Sequence, residues 1–292
     1  MISTAAILAD VERLPTLPAS LARLSALQQD ERSSAADYEK VIGIDPALTT
    51  HVLRLANSGF FGAPRQIVSV RQAVTLLGTR RVVEAAVGAA FSAVLPKALP
   101  GYCIDSVSFW RHCVAVAVLT ERIGEDLRLE RRADSFTCGL LHDIGKLVTS
   151  AYLAPQSTAI FDCTRERHHS LIDAEREILG TDHTQIGATV AEKWGLPDLV
   201  CTVVRWHHSP SAREVQRAPD AAADLVDAVH VADCLSHVFG FGTDIGELSR
   251  ELDAGAVKRI GEPVRNLERI VGEAANQIED LSAVFGAMRG GS

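Results

Sequence analysis

No Cys-x-x-Cys pair occurs in this chain, although it carries six cysteines at positions 103, 113, 138, 163, 201 and 234. That absence speaks against a zinc knuckle, and the scattered spacing outlines no disulfide framework; the thiols read as small core residues in a reducing cytoplasm. No stretch of about 18 uncharged apolar residues is present, so no membrane span is expected. Residues 1–14 carry Asp10 and Glu12 and lack a basic segment with a cleavage site, so secretion is not expected either. There is no surplus of positive charge: the formal net charge is −8 at pH 7. This argues against a general nucleic-acid binder; the cluster of Arg128, Arg131 and Arg132 reads as solvated surface, with a local contact point as the alternative. Internal repeats, low-complexity blocks and strand-period alternation are lacking too.

What the chain has is helical periodicity. With 292 residues, of which 47% are hydrophobic and 23% charged, it can bury a substantial core in one large domain or two small ones. Leu17, Leu21, Leu24 and Leu27 fall at helical steps after Pro18, and Val41, Ile44, Leu48, Val52 and Leu55 mark a second apolar face around a break at Asp45-Pro46. Val70, Ala73, Val74 and Leu77 form a third stripe that ends at Gly78, and the alanine-rich run from Val82 to Leu95 reads as a buried helix. Leu267, Ile270, Val271, Ala274, Ile278, Leu281 and Phe285 trace a long amphipathic helix, which either covers the core or pairs subunits. The tail from Arg289 to Ser292 is expected to be disordered. The fold class is therefore all-α. Pro96, Pro100 and Gly101 punctuate the chain and divide it into two helical lobes, residues 1–100 and 101–292.

Every candidate ligand lies in the second lobe. His112 shares a helical face with Val116 and Leu119, and His183 shares one with Ile186, Val190 and Trp194. His207 and His208 complete the inward face of Val200, Val203 and Val204. Asp233 follows Val226 and Val229, and the adjacent pair His142-Asp143 follows an apolar run. One inward polar residue is ordinary; several among apolar faces share an explanation if they converge on a metal, since a buried carboxylate needs a cation or a hydrogen-bond network. Imidazole and carboxylate without thiolate suit one or two divalent ions (Fe, Mn, Zn, Co or Ni), and a shared carboxylate is what a two-metal hydrolytic centre requires. The alternative is a cluster satisfied by internal hydrogen bonds. Lys146, three residues after Asp143, can pair with that carboxylate or meet a substrate phosphate. His51, His168, His169, His230 and His237 are assigned no role.

In their order, His112, His142-Asp143, His183, His207-His208 and Asp233 resemble the ligand pattern of the HD superfamily of metal-dependent phosphohydrolases, whose fold is all-helical. More closely, the chain is similar to the HDOD family, the HD-related output domains of bacterial signalling. The marks are Leu14-Pro-Thr-Leu-Pro18, Asp45-Pro-Ala-Leu48, Leu55-Ala-Asn-Ser58 with Phe61-Gly62, Gln72-Ala73 and Leu77-Gly78. Phe109-Trp110, Gly139 to Lys146 and Trp194-Gly-Leu-Pro197 continue the series, so that the resemblance covers residues 13 to 235. The segment from His142 to Lys146 is also similar to the HD-GYP cyclic di-nucleotide phosphodiesterases, but Ser209-Pro210 follows His208 and the Gly-Tyr-Pro signature is absent.

The resemblance implies a cytoplasmic signal-transduction output with a regulatory protein partner. It equally implies a phosphohydrolase acting on a nucleotide, cyclic nucleotide or other phosphate-containing small molecule. In the enzyme reading His112, His142, Asp143 and Asp233 hold one ion, Asp143 bridges to a second held by His183 and by His207 or His208, and Lys146 offsets phosphate charge. Asp143→Ala is then expected to abolish turnover with the fold largely intact.

Overall fold

The computed structural model describes residues 3–14, 20–30, 32–61, 63, 65–166, 169–218, 220–242, 251–261 and 267–289. In chain order the helices are α1 (Thr4–Arg13), α2 (Ser20–Gln29), α3 (Ala35–Gly43), α4 (Pro46–Ala56) and α5 (Val70–Val94). A minimal antiparallel pair, β1 (Ala98–Leu99) and β2 (Ile104–Asp105), follows. Then come α6 (Ser106–Asp126), α7 (Ser135–Leu141), α8 (Lys146–Leu153), α9 (Ser157–Phe161), α10 (Leu171–Leu179) and α11 (His183–Lys193). The series ends with α12 (Asp198–Trp206), α13 (Arg213–Gln216), α14 (Asp220–Val238), α15 (Ala254–Ile260) and α16 (Leu267–Arg289). The protein is all-α, and the two-residue strands are the only departure from helix and loop among the described residues.

The helix ends have chemical causes. Ser69, Asp105, Ser170, Asp182 and Asp253 each precede a helix and accept a backbone N–H of its first turn through the side chain. Gly180 ends α10 with a left-handed φ of 70°, which only glycine adopts freely. Gly78, at φ 84° and ψ 165°, breaks α5 where the Val70 to Leu77 stripe stops, so the two sequence segments are two helical pieces.

The chain forms two compact units, Met1–Leu14 with Pro96–Ala274, and Pro15–Leu95 with Ala275–Ser292. The first helix thus groups with the residues after Pro96. Ile7 and Val11 on α1 are fully buried. Tyr152 Oη donates to Asp10 Oδ2 at 2.6 Å, and Lys193 Nζ donates to the Val11 carbonyl at 2.7 Å. These tie α1 to α8 and α11. Within the first unit α6 packs on α7 and α14, and α11 on α12 and α8. Most of α6 is buried on all sides, from Phe109 through Ile123, as its near-continuous apolar sequence requires. In the second unit α2, α3 and α4 pack on α5. On α16, Ile270, Val271, Ala274, Ile278 and Leu281 are buried as the periodicity predicts. No helix among the described residues is long and apolar enough to cross a membrane. Residues 15–18, Gly62, His168 and the tail 290–292, and the side chain of Phe285, lie outside the described residues.

Candidate metal centre

Six helices bring the site together. His112 projects from the middle of α6 and Asp233 from α14, while His183 is the first residue of α11 and His207 caps the C-terminus of α12. His142 and Asp143 stand in the turn between α7 and α8 rather than within a helix, and Lys146 opens α8. This turn is held by Lys146 N–H donating to the Asp143 carbonyl at 2.9 Å. His142, His183 and His207 are fully buried, Asp143, Asp233 and Lys146 are 1% exposed, and only His208 keeps a partly exposed side chain.

Two ligand sets emerge. Nitrogen and oxygen atoms of His112, His142 and Asp233 lie within 4.8 Å of one another, as do those of Asp143, His183, His207 and His208. Asp143 faces both sets. Its Oδ2 is 3.5 Å from His112 Nε2 and 3.4 Å from His142 Nε2, while Oδ1 is 3.1 Å from His183 Nε2 and 3.7 Å from His207 Nε2. Both His207 and His208 join the second set, and His208 Nδ1 also comes within 4.0 Å of Asp233 Oδ2.

The hydrogen bonds of the outer ring atoms orient the inner ones. His142 Nδ1 donates to the Gly139 carbonyl at 2.8 Å and His207 Nδ1 to the Val204 carbonyl at 3.0 Å. His183 Nδ1 donates to Glu175 at 2.8 Å. Ser236 Oγ gives its proton to the Asp233 carbonyl at 2.8 Å, and so accepts from His112 Nδ1 at 2.9 Å. All four imidazoles therefore carry a proton on the outer nitrogen and turn Nε2 inward, where that of His183 meets Asp143 Oδ1 at 3.1 Å. His112 Nε2 and His142 Nε2 then face each other at 3.2 Å with both outer protons already committed. Two lone pairs at that distance repel unless a metal cation, or a second proton on one of the rings, stands between them. His207 Nε2 is likewise buried without a hydrogen bond. The donor set fits one or two divalent cations.

Electrostatics point the same way. Burial would raise the Asp143 pKa, but the Lys146 ammonium 2.7 Å away and the neighbouring imidazoles hold the carboxyl well below its ordinary range. Burial pushes His112 down and His207 well below the usual imidazole value, leaving both neutral ligands. For His183, burial is outweighed by the Glu175 and Asp143 carboxylates, which raise it to about 9.

Three contributors were not anticipated. Glu175 is fully buried behind His183; Ile172 and Leu179, three before and four after it, marked its face as inward. His237, one turn after Asp233, has its ring centroid 4.7 Å from that of His112 and its Nε2 3.7 Å from Asp233 Oδ1. His230 Nδ1 donates to the His207 carbonyl at 2.8 Å, and its Nε2 accepts from Asp253 N–H at 2.9 Å. It thereby ties the end of α12 to the start of α15. Beside the centre lies a cavity of about 460 Å³, lined among others by His169, Arg176, His208, His230, Asp233 and Glu251.

Asp182 sets the start of α11, and with it the position of His183. Its buried carboxylate accepts from Thr184 N–H at 2.9 Å, Gln185 N–H at 3.0 Å and Arg176 Nε at 2.7 Å. Burial raises its pKa, but the Thr184 hydroxyl bond and the other donors and charges more than offset this and hold it below the ordinary value of 3.8. Asp182→Ala is expected to cost about 1–2 kcal/mol in urea unfolding of chelated protein at neutral pH. A lowered carboxyl stabilises above its unfolded pKa, so the difference between wild type and variant should shrink as pH falls below about 4.

The fold is all-helical, and its buried centre gathers four inward imidazoles around one aspartate. The HDOD domain model matches residues 14–210, and the chain belongs to the HDOD family. Among solved structures it is similar to an HDOD domain protein of unknown function from Geobacter sulfurreducens, at 23% identity and a TM-score of 0.72, over 96% of each chain. It is also similar to a Shewanella amazonensis SB2B protein provisionally named a phosphohydrolase, at 22% identity and a TM-score of 0.66, over 96% of this chain and 98% of that one. A Treponema pallidum (strain Nichols) relative, itself uncharacterized, is 24% identical over 85% of this chain, which spans 47% of the relative's length. At these identities the likeness to solved structures establishes the fold.

Proposed function

We propose that this HDOD chain is a cytoplasmic signal-transduction output that retains an HD-type metal centre and presents its helical units to a regulatory protein partner. His112, His142 and Asp233 would hold one divalent cation and His183, His207 and His208 a second, with Asp143 placed to serve both sets. The observation that carries the metal reading is the approach of His112 Nε2 and His142 Nε2 to 3.2 Å with their outer protons committed elsewhere. Regulation is favoured over hydrolysis by Lys146. Its ammonium is buried against Asp143 at 2.7 Å, which favours a role in balancing the charge of the centre.

The cavity supports a second reading, hydrolysis of a nucleotide or other phosphate ester, because His208 and Asp233 belong both to its wall and to the ligand sets. When bound, divalent cations there supply Lewis acidity toward a phosphoryl group. The residues of this chain would position the ester along the cavity wall, with Arg176 as its nearby cation.

The test is elemental analysis of protein purified without chelator, followed by assay of the loaded protein on phosphodiesters and nucleotides. One or two equivalents of metal with no turnover are expected. A metal-free wild type that also refuses added iron, manganese and zinc would overturn the metal reading, and turnover would replace the regulatory reading with the hydrolytic one.

A further inference from the structure

Glu175 is a fully buried carboxylate. It lies on α10, and its two oxygens receive three donors. His183 backbone N–H donates to Oε2 at 2.7 Å, His183 Nδ1 to the same oxygen at 2.8 Å, and Tyr102 Oη to Oε1 at 2.6 Å. Tyr102 is itself fully buried, and with its own proton given to Glu175 its Oη accepts from Thr149 Oγ1 at 2.6 Å; Thr149 stands 3.1 Å from the Gly145 carbonyl. A chain of contacts therefore runs from the turn that carries Asp143, through Thr149, Tyr102 and Glu175, to the far side of the His183 ring. The ring's near side, Nε2, lies 3.1 Å from Asp143 Oδ1.

Burying an ionised carboxylate is costly unless its charge is used. A neutral amide could accept from the His183 backbone equally well. What an amide cannot do is accept at both ends without offering a proton of its own, so only the carboxylate obliges His183 Nδ1 and Tyr102 Oη both to donate. The consequence is a ring locked with Nε2 turned toward the second ligand set and made more basic by the charge behind it.

We infer that Glu175, held by Tyr102, is a positioning residue that orients and polarises His183 as a ligand of the second set. The inference rests on the metal reading above and adds to it a residue that binds no cation itself. Glu175→Gln keeps size and shape and removes the charge; Tyr102→Phe keeps the packed ring and removes one donor.

The probe is Co²⁺, titrated into chelator-stripped wild type, Glu175→Gln and Tyr102→Phe, with the visible absorbance of the bound ion as signal and thermal unfolding of the stripped proteins as the measure of fold. In Glu175→Gln, affinity for at least one cobalt equivalent is expected to fall by about 10–100-fold with an altered visible band, while the stripped protein still unfolds cooperatively. Tyr102→Phe is expected to weaken the same equivalent by roughly severalfold. If Glu175→Gln does not fold, Tyr102→Phe decides alone, and unchanged affinity there overturns the inference. Cobalt affinities and spectra equal in all three proteins overturn it and leave the metal reading standing. A wild type that takes up no cobalt overturns both.

Discussion

Asp143→Ala is expected to empty both ligand sets at once and to destabilise the metal-free protein as well. The first effect follows from position. One oxygen of Asp143 faces His112 and His142 and the other faces His183 and His207, so this side chain stands between both sets. Metal content by elemental analysis should fall from one or two equivalents to a small fraction. The second effect revises the expectation that this variant leaves the fold largely intact. Lys146 Nζ is buried 2.7 Å from Asp143 Oδ2, and removing one partner of a buried ion pair costs about 3–5 kcal/mol, because the remaining charge loses its compensation. Urea unfolding of chelated protein reads this loss.

A second substitution separates the two effects. Asp143→Ala combined with Lys146→Met replaces the ion pair by apolar groups of related volume, and such replacements are often neutral or stabilising. The double variant should regain most of the stability and none of the metal. If the single variant is as stable as wild type, the buried ion pair is not as described; if it stays metal-replete, Asp143 does not bridge.

Much of this arrangement is legible in the sequence because helical period and burial act together. The apolar neighbours of His112 and His183 fix which way those rings point, and no tertiary knowledge is needed to see that. The stripe from Val70 stops at Gly78 because only glycine sits easily at φ 84°, and that too is local. The division of the ligands into two sets is not local. It depends on which oxygen of Asp143 each helix approaches, and on the end of α12 bringing both His207 and His208 to the second set. The docking of α1 depends on Tyr152 and Lys193, more than 140 residues away in the chain, so the sequence pattern at residues 4–13 is simply that of an amphipathic helix without an address. Lys146 is an intermediate case. Its spacing from Asp143 allows the pair, but the packing of the Tyr102 ring, its centroid 5.2 Å from Nζ, helps enclose the ammonium there. Glu175 was readable as an acid on an apolar face; its purpose became visible only when His183 was found against it.

Gly145→Ala is expected to be the most damaging change that touches no ligand. The turn between α7 and α8 lies against the first turn of α11, backbone on backbone. A Cβ at position 145 would stand 1.8 Å from the His183 carbonyl oxygen and 2.6 Å from Gly187 N. Neither is the end of a flexible side chain, so relief requires α11 to retreat by about 1 Å or more, and overpacking of this kind costs at least about 1–3 kcal/mol. Gly187 cannot take up the slack, since its own hydrogen face is set against Val204, where a Cβ would be 2.8 Å from Cγ1. Retreat of α11 carries His183 away from Asp143, and ligand distances tolerate only about 0.2 Å. The variant should therefore lose cobalt binding and unfold at lower urea than wild type, both measured on stripped protein. Gly43→Ala is the control: a Cβ there meets nothing within 4 Å, and in a helix alanine is favoured over glycine by up to about 1 kcal/mol. If Gly145→Ala matches this control in stability and binds cobalt as wild type does, the close approach of the turn to α11 is not what holds the second ligand set in place.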